Sequence, residues 1–253
     1  MSPDPAHADP RAPRVLFVYY TYTQQTLKVI EAMAGVLRER GCEVQQASIE
    51  FTDSRYAKRF SAFPLRHVYR DLFGMIPAQL RGATGEIHIP NPAREGDYDL
   101  VCFGSPTWWM KTSVPIRSYL KSEAAGRILG GTRFAAFVVC RRYWGINLRA
   151  VKKLGTARGG EYIDGAHWAF AGGQIKSLLS LLSYLGTGEN RNKYLGVNIP
   201  PTNLNDDDLE QARSFAGTLA DRVAAEPPHD SPAALPNTRT PQPQTLRGSS
   251  PRR

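Results

Sequence analysis

Cysteine is scarce in this chain. Its three cysteines, Cys42, Cys102 and Cys140, stand far apart. No C-x-x-C pair and no metal-ligand spacing joins them, so neither a disulfide framework nor a metal knuckle is written here. Each falls at or inside an expected strand, where a thiol acts as a small buried hydrophobe. An odd count fits a reducing compartment. Long apolar runs are also missing, and none reaches the roughly 18 residues that cross a bilayer. Met1 to Pro13 carries four prolines and two aspartates but no apolar h-region. It does not read as a secretory signal, and a cytoplasmic address is expected. No G-x-G-x-x-G turn follows a strand. Gly155-Thr156-Ala157-Arg158-Gly159-Gly160 has the wrong spacing and ends a helix, which argues against a resident NAD domain. No nucleic-acid motif and no compact Lys/Arg block occurs in the folded part, so nucleic acid is not an expected partner.

What is present is a chain of 253 residues with a hydrophobic fraction of 42% and a net charge of +9. That length can bury a real core. The positive balance fits attraction for phosphate-bearing ligands or a solvated basic surface.

The most informative stretch is Tyr19-Tyr20-Thr21-Tyr22-Thr23-Gln24-Gln25-Thr26. It follows the apolar run Val15-Leu16-Phe17-Val18. It then opens a helical pattern with Leu27, Ile30, Met33, Ala34 and Leu37 on one face. A strand runs into a turn and the turn into a helix. Three threonine hydroxyls and two side-chain amides sit where helix N–H groups lack partners and the dipole is positive. Such a turn suits phosphate. The plainer alternative is a hydroxyl-rich helix cap, for which one hydroxyl would do.

The remaining pattern alternates strands and helices. Strands are expected at 15–19, 43–49, 98–104, 132–140 and 161–170, the last with a bulge at Gly165. Helices are expected at 24–40 with Gly41 as cap, from Pro115 to about Ser122, at 146–155 and at 207–224. Two segments exceed what a crossover needs. Phe51 to Asp97 holds a helical stripe broken or begun by Pro64, with a short edge strand near Glu86 to Asn91. It reads as an amphipathic helix on the sheet, a cap over a ligand, or a dimer surface. Gln174 to Leu185 is the second insertion, with Ile175, Leu178, Leu181, Leu182 and Leu185 as a stripe widened by Leu179 and Tyr184. A partner chain covering it would make a homo-oligomer. Lys176 alone offers nearby positive charge, which weighs against membrane contact. The expected organisation is a disordered segment over 1–13, one α/β domain over 14–225, and a disordered Pro-rich tail over 226–253. The fold class is a doubly wound five-stranded parallel sheet with two helical insertions.

Thr21-Tyr22-Thr23-Gln24-Gln25-Thr26 resembles the FMN phosphate loop of flavodoxin-like proteins, [Thr/Ser]-x-Thr-Gly-x-Thr. The match covers Thr21, Thr23 and Thr26 and departs at Gln24, where the family usually has Gly. Gly104-Ser105-Pro106-Thr107-Trp108-Trp109 is similar to the loop that wraps the isoalloxazine ring in FMN-dependent quinone reductases. The loop Arg141-Arg142-Tyr143-Trp144 stands where that family places a Gly-rich flavin contact. The resemblance implies strand order 2-1-3-4-5 with FMN at the switch point, the arrangement for which flavodoxin is itself the standard example. It implies cofactor contacts from Thr21, Tyr22, Thr23, Gln24, Gln25, Thr26, Pro106, Thr107, Trp108, Trp109, Arg141, Arg142, Tyr143 and Trp144, with an arginine stabilising reduced flavin. It implies hydride transfer from NADPH or NADH to a quinone or other flat small-molecule acceptor. Two other readings stand beside this one: a flavodoxin-type electron carrier, and a binding or assembly module that has lost its flavin. Carriers of the family are usually acidic, and this chain is basic. Neighbouring Trp108 and Trp109 on an extended loop should not both face one core, so at least one is expected to be exposed or ligand-bound. Cys140 has no following histidine to act as a base, which argues against a thiol nucleophile.

Overall fold

The computed structural model describes residues 11–60, 62–170 and 172–225. The tail over 226–253 and residues 1–10 lie outside the described residues. Residues 11–13 are tied down, not free: Arg11 pairs with Asp99 at 2.9 Å, and the Pro13 carbonyl accepts from the Glu43 N–H.

The elements in chain order are β1 Arg14–Tyr19, α1 Gln25–Glu39, β2 Glu43–Ser48, β3 Glu50–Phe51, α2 Ser54–Ala57, α3 Val68–Phe73, α4 Ile76–Leu80 and β4 Ile87–His88. Then come β5 Leu100–Trp108, β6 Lys111–Thr112, α5 Val114–Lys121, α6 Glu123–Leu129, β7 Arg133–Cys140 and α7 Trp144–Thr156. The chain closes with β8 Glu161–Ala169, α8 Gln174–Thr187, β9 Lys193–Tyr194, β10 Val197–Asn198 and α9 Asp206–Ala225.

Five strands form the parallel sheet, in the order β2-β1-β5-β7-β8. Numbered among themselves, they run 2-1-3-4-5, the flavodoxin-like doubly wound order. The inner strands are apolar on both faces because helices cover both. Val15 and Phe17 face α1 and α9, while Leu16 and Val18 face α5 and α6. Helix α1 ends in a Schellman arrangement: Gly41 takes φ 82° while its N–H reaches the Arg38 carbonyl and that of Cys42 reaches Leu37. Asn205 and Asp208 cap α9 reciprocally, each side chain accepting from the other's backbone N–H. Cys42, Cys102 and Cys140 are buried free thiols.

The structure corrects several expected boundaries. The third strand does not stop at Gly104. It runs on to Trp108, because β6 pairs antiparallel with its end across a two-residue turn, Trp109-Met110, with φ 47° and 64°. That geometry is normally glycine's or asparagine's, so neither tryptophan nor methionine announces it. The bulge in β8 falls at Ile163 and not at Gly165, since Tyr162 and Asp164 face consecutive residues of β7. The stripe after Pro64 folds as two short helices, α3 and α4, separated at Gly74 and Met75. Helix α6 was not anticipated. Ser122 caps it, accepting from the Ala125 N–H.

The two insertions meet over the sheet's carboxyl edge. The Leu65 N–H donates to the Leu185 carbonyl at 2.7 Å, Phe63 packs on Tyr184, and the hydroxyls of Tyr69 and Tyr194 lie 2.9 Å apart. Buried Arg117 of α5 clips the first insertion down, donating to the Ala83 carbonyl and to Gln79 Oε1. Together the insertions form a roof. Helix α8 rests on the body through small polar residues: Ser177, Ser180 and Ser183 are buried, and Ser180 Oγ donates to the Pro200 carbonyl. Among the described residues, Ser183 Oγ, Thr202 Oγ1 and Asn203 Oδ1 are shielded from solvent and have no hydrogen-bond partner. Among the described residues no helix is long and apolar enough to cross a membrane.

Candidate functional site

Beneath the roof lies a cavity of about 300 Å³, a size small-molecule sites share. It opens at the carboxyl ends of β1, β5 and β7. The β1–α1 turn forms one end. Gln24 precedes α1 with φ 61° and makes no side-chain cap. The first intrahelical bond runs from the Lys28 N–H to the Gln24 carbonyl. Among the described residues, no acceptor meets the N–H groups of Gln25, Thr26 or Leu27, and no hydrogen bond engages the hydroxyls of Thr21, Thr23 or Thr26. Gly104 allows this packing, since a Cβ there would sit 2.9 Å from Thr26 Cγ2 and 2.6 Å from the Phe137 ring. Free N–H groups at a helix start, flanked by free hydroxyls, form an anion cradle.

The two glutamines of the turn do not both serve it. Gln25 is buried, and its amide accepts from the Leu204 N–H at 3.1 Å, locking the turn to the segment before α9. Gln24 is exposed and does not line the cavity. Tyr22 lines the wall and holds the roof: its ring packs edge-on to Phe60 and Phe63, and its hydroxyl donates to the Ala62 carbonyl. Burial, then the nearby Asp71, pushes its phenol up to about 12.

Pro106, Thr107, Trp108 and Trp109 form the aromatic side of the cavity. The expectation that two adjacent tryptophans cannot share one core fails. The left-handed turn swings Trp109 onto Phe73, with its Nε1 donating to the Leu72 carbonyl, while Trp108 packs on Tyr20, Phe51 and Phe60. Both rings are half-buried and join one apolar cluster.

The third loop is built differently. Arg141 donates through Nη1 to the Gln174 carbonyl and Ser177 Oγ, at 2.9 and 3.0 Å. Burial lowers its pKa from the ordinary arginine value. Tyr143, at φ 63°, accepts at its hydroxyl from Gln174 Nε2. Arg141, Arg142 and Tyr143 line the cavity, but Trp144 does not. As the first residue of α7 it turns outward and stacks on His167 with ring centroids 3.6 Å apart. Cys140 also lines the cavity. Burial, partly offset by Thr107 and Arg141, pushes its thiol up to about 11, so it is protonated at neutral pH.

Twelve of the fourteen expected contacts therefore surround one cavity, and Gln24 and Trp144 do not. A cap over a ligand is one reading of the first insertion, but the expected contacts include none of Leu65, Leu72, Met75, Leu178, Leu181 and Leu185, which line the roof's inner surface. Sequence reasoning also missed Asn147. This buried amide donates to the Ser105 and Pro106 carbonyls and to Thr107 Oγ1 at 3.0–3.3 Å, fixing the aromatic loop. The available signal was a polar residue on the apolar face of α7, four before Val151.

No protein-family model matches the chain, and no curated protein matches it. Solved structures do show similarity. A flavoprotein in complex with FMN from Lactobacillus acidophilus NCFM shares 17% identity over 62% of this chain and 93% of that one, with TM-score 0.48. A flavodoxin from the domain Archaea shares 12% over 83% and 99%, also at 0.48. Oxidised flavodoxin 1 from Bacillus cereus shares 14% over 82% and 97%, at 0.44. Scores this low carry no weight for function; the fold rests on the strand order and register above.

Proposed function

We propose that this chain is an FMN-binding oxidoreductase that takes reducing equivalents from NADPH or NADH and delivers them to a quinone or similar flat acceptor. The observation behind it is one of position. The unpartnered donors of the β1–α1 turn open into the same cavity as Trp108, Trp109 and Tyr143. That pairs an anion cradle with an aromatic slot, which is what a flavin mononucleotide requires. The chemistry FMN supplies when bound is a two-electron relay: NAD(P)H, a proton and a quinone become NAD(P)+ and a hydroquinone.

The chain's own residues would do the following. Thr21, Thr23 and Thr26, with the N–H groups of 25–27, would hold the phosphate. Trp108, Trp109 and Tyr143 would border the ring, and Asn147 would keep the aromatic loop in place. Arg141 and Arg142 would add positive potential. Arg141 also holds α8, so ring charge would fall more to exposed Arg142. The roof would exclude water from the reacting face. An oxidoreductase needs room for donor and acceptor beside the ring, and a covered cavity fits that better than the bare ring edge of a carrier.

The test is the absorption spectrum of the purified chain titrated with FMN, followed by anaerobic addition of NADPH or NADH. Flavin bands that bleach with a nicotinamide and recover on adding quinone are expected. A bound flavin that neither nicotinamide bleaches would favour the carrier. Failure to bind FMN would favour the assembly module.

A further inference from the structure

Among the described residues, eight of the roof reach the cavity: Phe60, Leu65, Leu72 and Met75 from the first insertion, and Gln174, Leu178, Leu181 and Leu185 from α8. Gln174 is the one with a polar side chain, and its Nε2 is already engaged by the Tyr143 hydroxyl. The cavity is therefore two-faced. Its floor carries hydroxyls, N–H groups and arginines, while its roof is hydrocarbon. A polar group held against the roof would lose its water and gain no partner. The strip Leu178, Leu181, Leu185 follows one helix face for about 10 Å. It faces Leu65, Leu72 and Met75 from the other insertion, and the two are latched by the Leu65–Leu185 backbone bond. With the flavin ring bordered by the aromatic slot, a flat acceptor stacked on that ring would leave this strip uncovered.

We propose that the acceptor carries an alkyl tail, and that the hydrocarbon strip under α8 and the α3–α4 segment is the tail's binding site. This deepens the oxidoreductase reading and rests on it for the identity of the headgroup. The tail requirement itself comes from the roof.

The experiment compares methyl-, hexyl- and decyl-substituted benzoquinones as acceptors for the FMN-loaded chain. The same quinones are titrated against the flavin-free chain, with quenching of tryptophan fluorescence as the readout. Each buried methylene is worth about fourfold in affinity. Burial of only three or four of the nine added methylenes makes KM and the half-quenching concentration fall roughly a hundredfold from methyl to decyl, and deeper burial makes the fall larger, with kcat little changed. Leu178→Gln and Leu181→Gln, at half-buried positions, should each flatten that dependence, with circular dichroism confirming the fold. Offering the decyl compound in lipid vesicles and in free solution distinguishes a bilayer source from a soluble one, and tail-dependent turnover from either supports the assignment.

Flavin that binds and bleaches, with KM and quenching indifferent to tail length, overturns the proposal. A tail dependence that survives both leucine substitutions unchanged also overturns it, because it then reflects partitioning elsewhere. If no flavin binds but tail-dependent quenching persists and the leucine variants lose it, the oxidoreductase reading falls and the tail site stands.

Discussion

The β1–α1 turn and the β7–α7 loop make the same backbone move. Each leaves a parallel strand at its carboxyl end. Each enters a helix through a residue in the left-handed region, Gln24 at φ 61° and Tyr143 at φ 63°, and neither residue caps its helix with its side chain. They differ in what is left over. Among the described residues, the first loop keeps three hydroxyls and three N–H groups without a protein partner. The second has three of its four side chains occupied, Arg141 by Gln174 and Ser177, Tyr143 by Gln174 and Trp144 by His167, and leaves Arg142 exposed. One loop is kept ready for a ligand and the other fastens the roof. Local geometry does not separate these roles; the partners do.

The sharpest way to break this comparison is Arg141→Ala. Hydrogen bonds from a charged donor contribute about 1.5–3 kcal/mol, so a stability loss of that order is expected. Faster hydrogen exchange should be concentrated in α8. Exchange that rises evenly over the whole domain would show that the loop does not fasten the roof. Next in size is Thr26→Ala. Loss of one bond to a charged phosphate should weaken FMN by about tenfold, while loss of the buried Cγ2 lowers the melting temperature of the flavin-free chain by a few degrees at most. Unchanged affinity in both Thr23→Ala and Thr26→Ala would remove the turn from the site.

A smaller effect is expected at Gln24. A non-glycine residue in the left-handed region costs about 1 kcal/mol. Gln24→Gly should therefore raise stability by up to that amount in chemical denaturation, without lowering FMN affinity, since the side chain does not line the cavity. Weaker FMN binding would show that the glutamine amide takes part. The smallest effect is at Cys140. With its thiol near pKa 11, roughly one molecule in ten thousand is thiolate at pH 7. Alkylation of the native chain by iodoacetamide at that pH should be negligible over an hour and should speed up on unfolding. Fast labelling of the native chain would mean that the thiol is more open than its surroundings show.

The sequence carried most of the fold because the five strands are short apolar runs and helix faces repeat between them. Val15 to Tyr19 and the stripe from Leu27 to Leu37 left one choice of element. The site was legible wherever a residue's neighbours in sequence decide its position, as in the threonine turn. It was not legible where a distant contact decides. Trp144 carries the same aromatic signal as Tyr143, but the face of α7 it occupies is set by His167 on the adjacent strand. Gln25 reads as a donor to phosphate, yet its Oε1 accepts from Leu204, distant in sequence, and its Nε2 is turned to the Thr23 carbonyl. The roof was half visible: the leucines of α8 announced an apolar helix, but three serines share its buried face with Leu182 and Leu185. Leucines at positions 178, 181 and 185 were left to line a cavity.

That serine seat has a thermal consequence. Exposing apolar surface raises heat capacity, and exposing polar surface lowers it. Lifting α8 would hydrate the hydroxyls of Ser177, Ser180 and Ser183 together with the buried side chains of Leu182 and Leu185, so the two contributions would partly cancel. Opening the roof would therefore carry a smaller heat-capacity change per residue than opening the sheet, and its free energy would curve less with temperature. The sheet beneath is built of phenylalanine, valine and leucine, and its stability must bend through a maximum. Native-state exchange across a temperature series would read these as two curves of different shape, with α8 on the straighter one.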